Sequence, residues 1–77
     1  MTAGSPRPRP DLVCSARGCR APAAFGVVWN NPRVHRPGRR KVWLACPDHR
    51  ESLASFVALR GFLLEVVPVD ELGPEDG

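Results

Sequence analysis

Apolar and polar positions alternate most clearly in two short stretches. From Ala23 to Trp29, the residues Phe25, Val27 and Trp29 share one side of an extended backbone. From Lys41 to Cys46, Val42 and Leu44 point one way and Trp43 and Ala45 the other, in a β-prone composition. Between them, Asn30 to Arg40 reads Asn-Asn-Pro-Arg-Val-His-Arg-Pro-Gly-Arg-Arg, a run of turn formers. The pattern predicts an antiparallel hairpin with a long basic tip.

The period then changes. His49, Leu53, Phe56, Val57 and the stem of Arg60 recur at spacings of three and four, which predicts a helix. Pro47 suits its first position, and Asp48 and Glu51 suit the positive end of its dipole. Gly61 suits the residue just past its end, with Phe62 folding back on the last turn. Leu63 to Val69 is apolar and β-branched, a third strand or extended arm broken at Pro68, with an edge open to β-addition. Leu53, Phe56, Val57, Phe62, Leu64 and Val66 read as core. The flanks differ: residues 1–11 read as a disordered leader, 12–69 as the folded domain and 70–77 as an acidic, frayed tail.

A chain of 77 residues, 43% apolar, has a modest core. Burial alone leaves such a domain about 3–5 kcal/mol of net stability, so a staple is expected. No run is long or apolar enough to span a bilayer, and Met1 to Pro10 has no apolar stretch of the secretory kind. The expected compartment is the cytoplasm, where thiols stay reduced. Three cysteines cannot all pair within one chain, which turns the reading from disulfides towards metal.

The candidate ligands are Cys14 and Cys19, with four residues between them, and Cys46 and His49, with two between them, and 26 residues separate the pairs. Two ligands at such spacings reach one ion from a single turn, and two pairs fill a tetrahedron of thiolate and imidazole donors. The set predicts one structural Zn2+. Gly18 permits the tight turn before Cys19. Cys46 ends a strand and His49 enters a helix, where the dipole favours a thiolate. A knuckle, a hairpin and a ligand pair entering a helix is similar to the treble-clef zinc fingers, over residues 12–60. The fold class expected is a small zinc-stabilised α+β domain, treble-clef-like, with an extra C-terminal strand. Three thiolates and one imidazole leave the centre at −1, and Arg17, Arg20 or Arg50 is expected to offset it.

Charge adds a second feature. Residues 1–60 hold all 11 lysines and arginines against Asp11, Asp48 and Glu51, a net +8, whereas residues 61–77 hold five acids and no base. Such a chain either attracts a polyanion or holds its tail against its own body. Arg33, Arg36, Arg39, Arg40 and Lys41 gather in the loop, with Trp29 and Trp43 on the flanking strands. Cations beside aromatics suit a phosphate backbone and stacked bases. A solvated hairpin tip over packed tryptophans is the plainer reading. His35 sits inside this loop, far along the chain from any cysteine, and reads as a loop residue.

The runs Cys14-Ser-Ala-Arg-Gly-Cys19-Arg-Ala, Trp29-Asn-Asn-Pro-Arg-Val-His35 and Arg39-Arg-Lys-Val-Trp-Leu-Ala-Cys46-Pro-Asp-His49, then Phe56 with Arg60-Gly-Phe-Leu, resemble a group of small actinobacterial proteins often labelled "acetone carboxylase". The resemblance covers residues 13–69. It implies metal binding at Cys14, Cys19, Cys46 and His49, and it adds Trp29, Asn30, Asn31, Pro32 and His35 as a shared signature. Ketone carboxylation needs nucleotide-driven activation, yet the chain has no phosphate-binding glycine loop, open metal position or convergent acid–base pair. The expectation is a non-enzymatic zinc module acting as an adaptor, with Trp29, Arg33, His35, Arg36, Arg39, Arg40 and Lys41 facing an unknown protein or nucleic acid. The alternatives are a nucleic-acid-binding finger, a zinc-linked thiol switch and an accessory fragment of a carboxylase.

Overall fold

The computed structural model describes residues 7–74 and residue 76. Strands β1 (Arg9–Val13) and β2 (Pro22–Ala23) form a small antiparallel pair. Strands β3 (Phe25–Trp29), β4 (Lys41–Ala45) and β5 (Leu63–Pro68) form a second antiparallel sheet in the order β4-β3-β5. Helix α1 (Arg50–Ala58) lies between β4 and β5 in the chain, and a 3-10 turn (Val69–Glu71) follows β5. The result is a small α+β domain, as the pattern predicts.

The hairpin register pairs Phe25 with Ala45, Val27 with Trp43 and Trp29 with Lys41. Phe25, Val27 and Trp29 therefore share a face with Trp43 and Ala45, and Val42 and Leu44 take the other, as their alternation requires. On the first face Val27, Ala45 and Val57 of α1 form the fully buried centre, with Phe25, Trp29, Trp43, Leu53, Phe62, Leu63 and Val66 around it. The helix closes with the Gly61 amide on the Ala58 carbonyl and the Phe62 amide on the Val57 carbonyl, which turns Phe62 back into that core.

The second face carries Gly26 and Val28, both buried. Leu72 covers Gly26 so closely that a Cβ there would lie 2.8 Å from a Leu72 methyl. The tail is thus a packed layer: Val69 is buried, its amide bonds the Ala24 carbonyl, and Asp76 bridges to Arg40. That differs from the frayed segment expected over 70–77, because an uncovered sheet face needs apolar cover; Glu75 and Gly77 lie outside the described residues. Likewise, β1 begins inside the segment expected as leader, of which residues 1–6 lie outside the described residues.

Two other expectations shift. The helix begins at Arg50 and not at Pro47, with His49 as its cap and residues 47–49 in a turn closed by the His49 amide on the Cys46 carbonyl. Phe56 and Leu64, expected in the core, are about half exposed. Val57 takes the one central position α1 has under the sheet, which leaves Phe56 at the flank. No helix among the described residues is long and apolar enough to cross a membrane.

Candidate metal centre

The knuckle from Cys14 to Cys19 leaves β1 and returns to β2. Its neck closes where the Cys14 amide bonds the Ala21 carbonyl, and its turn where the Cys19 amide bonds the Ala16 carbonyl. Gly18 sits in that turn at φ +78, a conformation that costs other residues steric strain. Ser15 ties the knuckle to the outer edge of β4. Its amide donates to the Leu44 carbonyl at 2.7 Å, and its Oγ accepts from the Leu44 amide at 2.9 Å. Nothing in the sequence singles Ser15 out; only the meeting of knuckle and strand reveals its role.

That docking brings Cys14 and Cys19 beside Cys46, which follows β4. The turn after Cys46 then swings His49 back over the sulfurs. Nδ1 of His49 lies 3.3 Å from the Cys46 sulfur and 3.7 Å from the Cys14 sulfur, and the Cys19 and Cys46 sulfurs are 3.9 Å apart. All four donor atoms lie within 4.8 Å of one another, close enough to hold a metal ion. A tetrahedral ion with bonds of about 2.3 Å to sulfur and about 2.0 Å to nitrogen sets sulfur–sulfur edges of about 3.8 Å and sulfur–nitrogen edges of about 3.5 Å. Those three spacings are such edges to within a few tenths of an ångström and every donor pair lies within 4.8 Å, so the residues present fit the ion. Hydrogen bonds among thiols and an imidazole alone would not require all four donors to converge on one point.

The surroundings favour an ionised sulfur at Cys14 and oppose one at Cys19. Cys14 and Cys46 are buried, and Cys19 and His49 are half-buried. Burial alone pushes the Cys14 thiol up, but the backbone amides of Cys46 and Ala16 and the neighbouring thiols outweigh it and bring it down to about 7. At Cys19 the Ala21 amide pulls downward, but burial and the Cys14 and Cys46 sulfurs prevail, so its thiol stands above the ordinary value. Crowded sulfurs that cannot all carry charge in the absence of a cation are the expected signature of thiolate ligands. Of the arginines expected near the centre, Arg50 lays its guanidinium over the Phe25 ring at 5.1 Å, while Arg17 and Arg20 are exposed. Beside the centre, Ser15, Ala16, Arg17, Trp43, Ser52, Leu53 and Phe56 line an open groove of about 690 Å³.

The residues expected to face a partner divide into two groups. Trp29 is packed between His35, 5.3 Å away between ring centres, and Trp43 at 5.1 Å. Its Nε1 is shielded from water and meets no hydrogen-bond partner among the described residues. His35 accepts the Asn31 amide at Nδ1, and Arg40 is held by Glu65 and Asp76. These three are structural. Arg33, Arg36 and Arg39 are exposed, and Lys41 is half-buried at the start of β4. Comparisons of the chain with protein-family models, with curated proteins and with solved structures found no match.

Proposed function

We propose that the protein is a structural zinc module, treble-clef-like in its order of knuckle, hairpin and helix-entering ligand pair, that serves as a non-catalytic adaptor. The observation that carries this reading is that the donor atoms of Cys14, Cys19, Cys46 and His49 lie within 4.8 Å of one another, with three of their spacings at tetrahedral edge lengths. Zinc suits the donors, because thiolate and imidazole in a tetrahedron are its preferred set. Four protein donors close the coordination sphere, which leaves no position for an activated water or a substrate and argues for structure over catalysis. The ion would join three pieces that otherwise meet only through small contacts: the knuckle, the end of β4 and the start of α1.

The test is native mass spectrometry with elemental analysis on the purified chain, followed by thermal melts with and without a chelator. One zinc per chain and loss of the cooperative melt on chelation are expected. Well-folded protein without metal, or a melt that chelation leaves unchanged, would overturn the proposal.

A further inference from the structure

The loop between β3 and β4 is not a slack connection. Asn30 donates its side-chain amide to the carbonyls of Arg36 and Arg39, at 3.1 and 2.7 Å. Asn31 accepts the Arg33 amide on its side-chain oxygen, and its carbonyl accepts the Val34 and His35 amides. The Asn31 amide in turn donates to His35 Nδ1 at 2.9 Å, and the Arg39 amide bonds the Arg36 carbonyl. The other polar side chains of the tip are thus spent on the backbone. What they hold out is Arg33, Arg36 and Arg39, all exposed and none in an ion pair among the described residues.

Resting on the adaptor reading above, we infer that this loop is a preformed clamp for the phosphate backbone of nucleic acid. Three observations select that partner. The stretch from residue 12 to residue 47 contains no Asp or Glu, so nothing nearby in the chain neutralises the three guanidiniums, whose planar forks match phosphate oxygens. The apolar surface beside them is small, Val34 and the exposed Pro32 and Pro37, whereas a protein partner needs an apolar interface core. Trp29 and Trp43 are packed against each other under the sheet and not beside the three arginines, so recognition at the tip falls on the backbone. A fixed loop backbone matters because ordering a slack loop on binding would cost affinity. The loop also lies at the end of the hairpin remote from Cys46, so its chemistry is separable from the metal centre.

The test is fluorescence anisotropy of the full-length, metal-loaded chain with a labelled duplex of about 20 base pairs, at about 50 and about 200 mM salt. Three phosphate contacts predict a slope of about −2.7 in log affinity against log salt, an affinity loss of about 40-fold across that range. The combined variant Arg33→Ser, Arg36→Ser, Arg39→Ser is expected to lose binding while keeping its metal and its melt. Asn30→Ala keeps every cation but frees the loop, and is expected to weaken binding about tenfold. No anisotropy change at the lower salt, or an unaltered slope in the triple variant, overturns the inference. Equal affinity for polyglutamate assigns the loop to acidic proteins and overturns it too, and full binding by Asn30→Ala refutes the clamp. Metal content is read on the same samples, so metal-loaded chain that fails to bind sinks only this inference, whereas metal-free folded chain that binds sinks only the adaptor reading's zinc.

Discussion

Replacing Cys46 with serine tests the metal centre at its most buried ligand. Cys46 is 2% exposed, and its sulfur faces both Cys19 and His49 Nδ1. Structural zinc in comparable small domains contributes about 10–16 kcal/mol, and a quarter of the lower value or somewhat more is roughly 3 kcal/mol per ligand. At 1.4 kcal/mol per decade, Cys46→Ser should weaken zinc binding by about two orders of magnitude. The same loss rivals the about 3–5 kcal/mol that burial alone leaves a domain of this size. The variant should therefore melt tens of degrees lower or without cooperativity, and excess zinc should restore part of the transition. Competition with a chromophoric chelator gives the affinity, and far-ultraviolet circular dichroism gives the melt. A Cys46→Ser chain that binds zinc as the parent does, or melts as the parent does, would refute the reasoning. Val57→Ala separates the metal from the core in the same assay. It should lower stability by about 2 kcal/mol through a cavity under the sheet while leaving zinc affinity within a few-fold.

Three further outcomes are expected. Zinc affinity should fall as pH drops, because a proton competes for Cys14 once pH passes below about 7, down from an ordinary 9.0. Zinc affinity that stays flat between about pH 8 and about pH 6 would contradict the coupling. Gly18→Val should weaken metal binding, because a β-branched residue resists φ +78 and shifts Cys19; a competition titration equal to the parent's would count against a strained turn. Arg40→Met should release the tail, seen as faster hydrogen exchange at the Val69 and Leu72 amides, and unchanged exchange there would show that Leu72 packing alone holds it.

The parts legible in the sequence were those with a local cause. The alternation around Val27 and Trp43 determines two strands and their shared face. Cysteine spacing determines which side chains can meet, and Gly61 marks where α1 stops. What stayed hidden depends on encounters between distant segments. The helix starts later than Pro47 suggests because the turn that aims His49 at the sulfurs uses residues 47–49 first. Gly26 inside a strand signals a close approach, yet only the fold shows that Leu72 makes it. Ser15 bears no motif at all, and its value lies wholly in meeting Leu44. Phe56 fits the helical stripe but not the space, since the sheet is wide enough to bury Val57 and leaves its neighbour at the rim.

The uneven charge resolves along the same lines. An acidic end opposite a basic body allows either self-neutralisation or an outside anion, and the fold does not average the two. Asp70 reaches Arg9, and Asp76 and Glu65 both reach Arg40. Asp11 and then Asp70 hold the Arg9 guanidinium above its ordinary range, Glu65 and Asp76 do the same for Arg40, and the Gly73 amide and then Arg40 hold the Asp76 carboxyl below its own. Arg40 is the one loop-end cation that leans over the sheet face covered by the tail, so it is the one the tail can take. Arg33, Arg36 and Arg39 project from the tip, where the loop's own asparagines fix the backbone and no described carboxylate reaches them. Asp70, Asp76 and Glu65 therefore fasten the cover of the second face, and no described carboxylate takes the charge of the three arginines at the tip. Had the tail's purpose been to screen the loop, its described carboxylates would sit at the tip, whereas Asp70 pairs with Arg9 and Asp76 with Arg40.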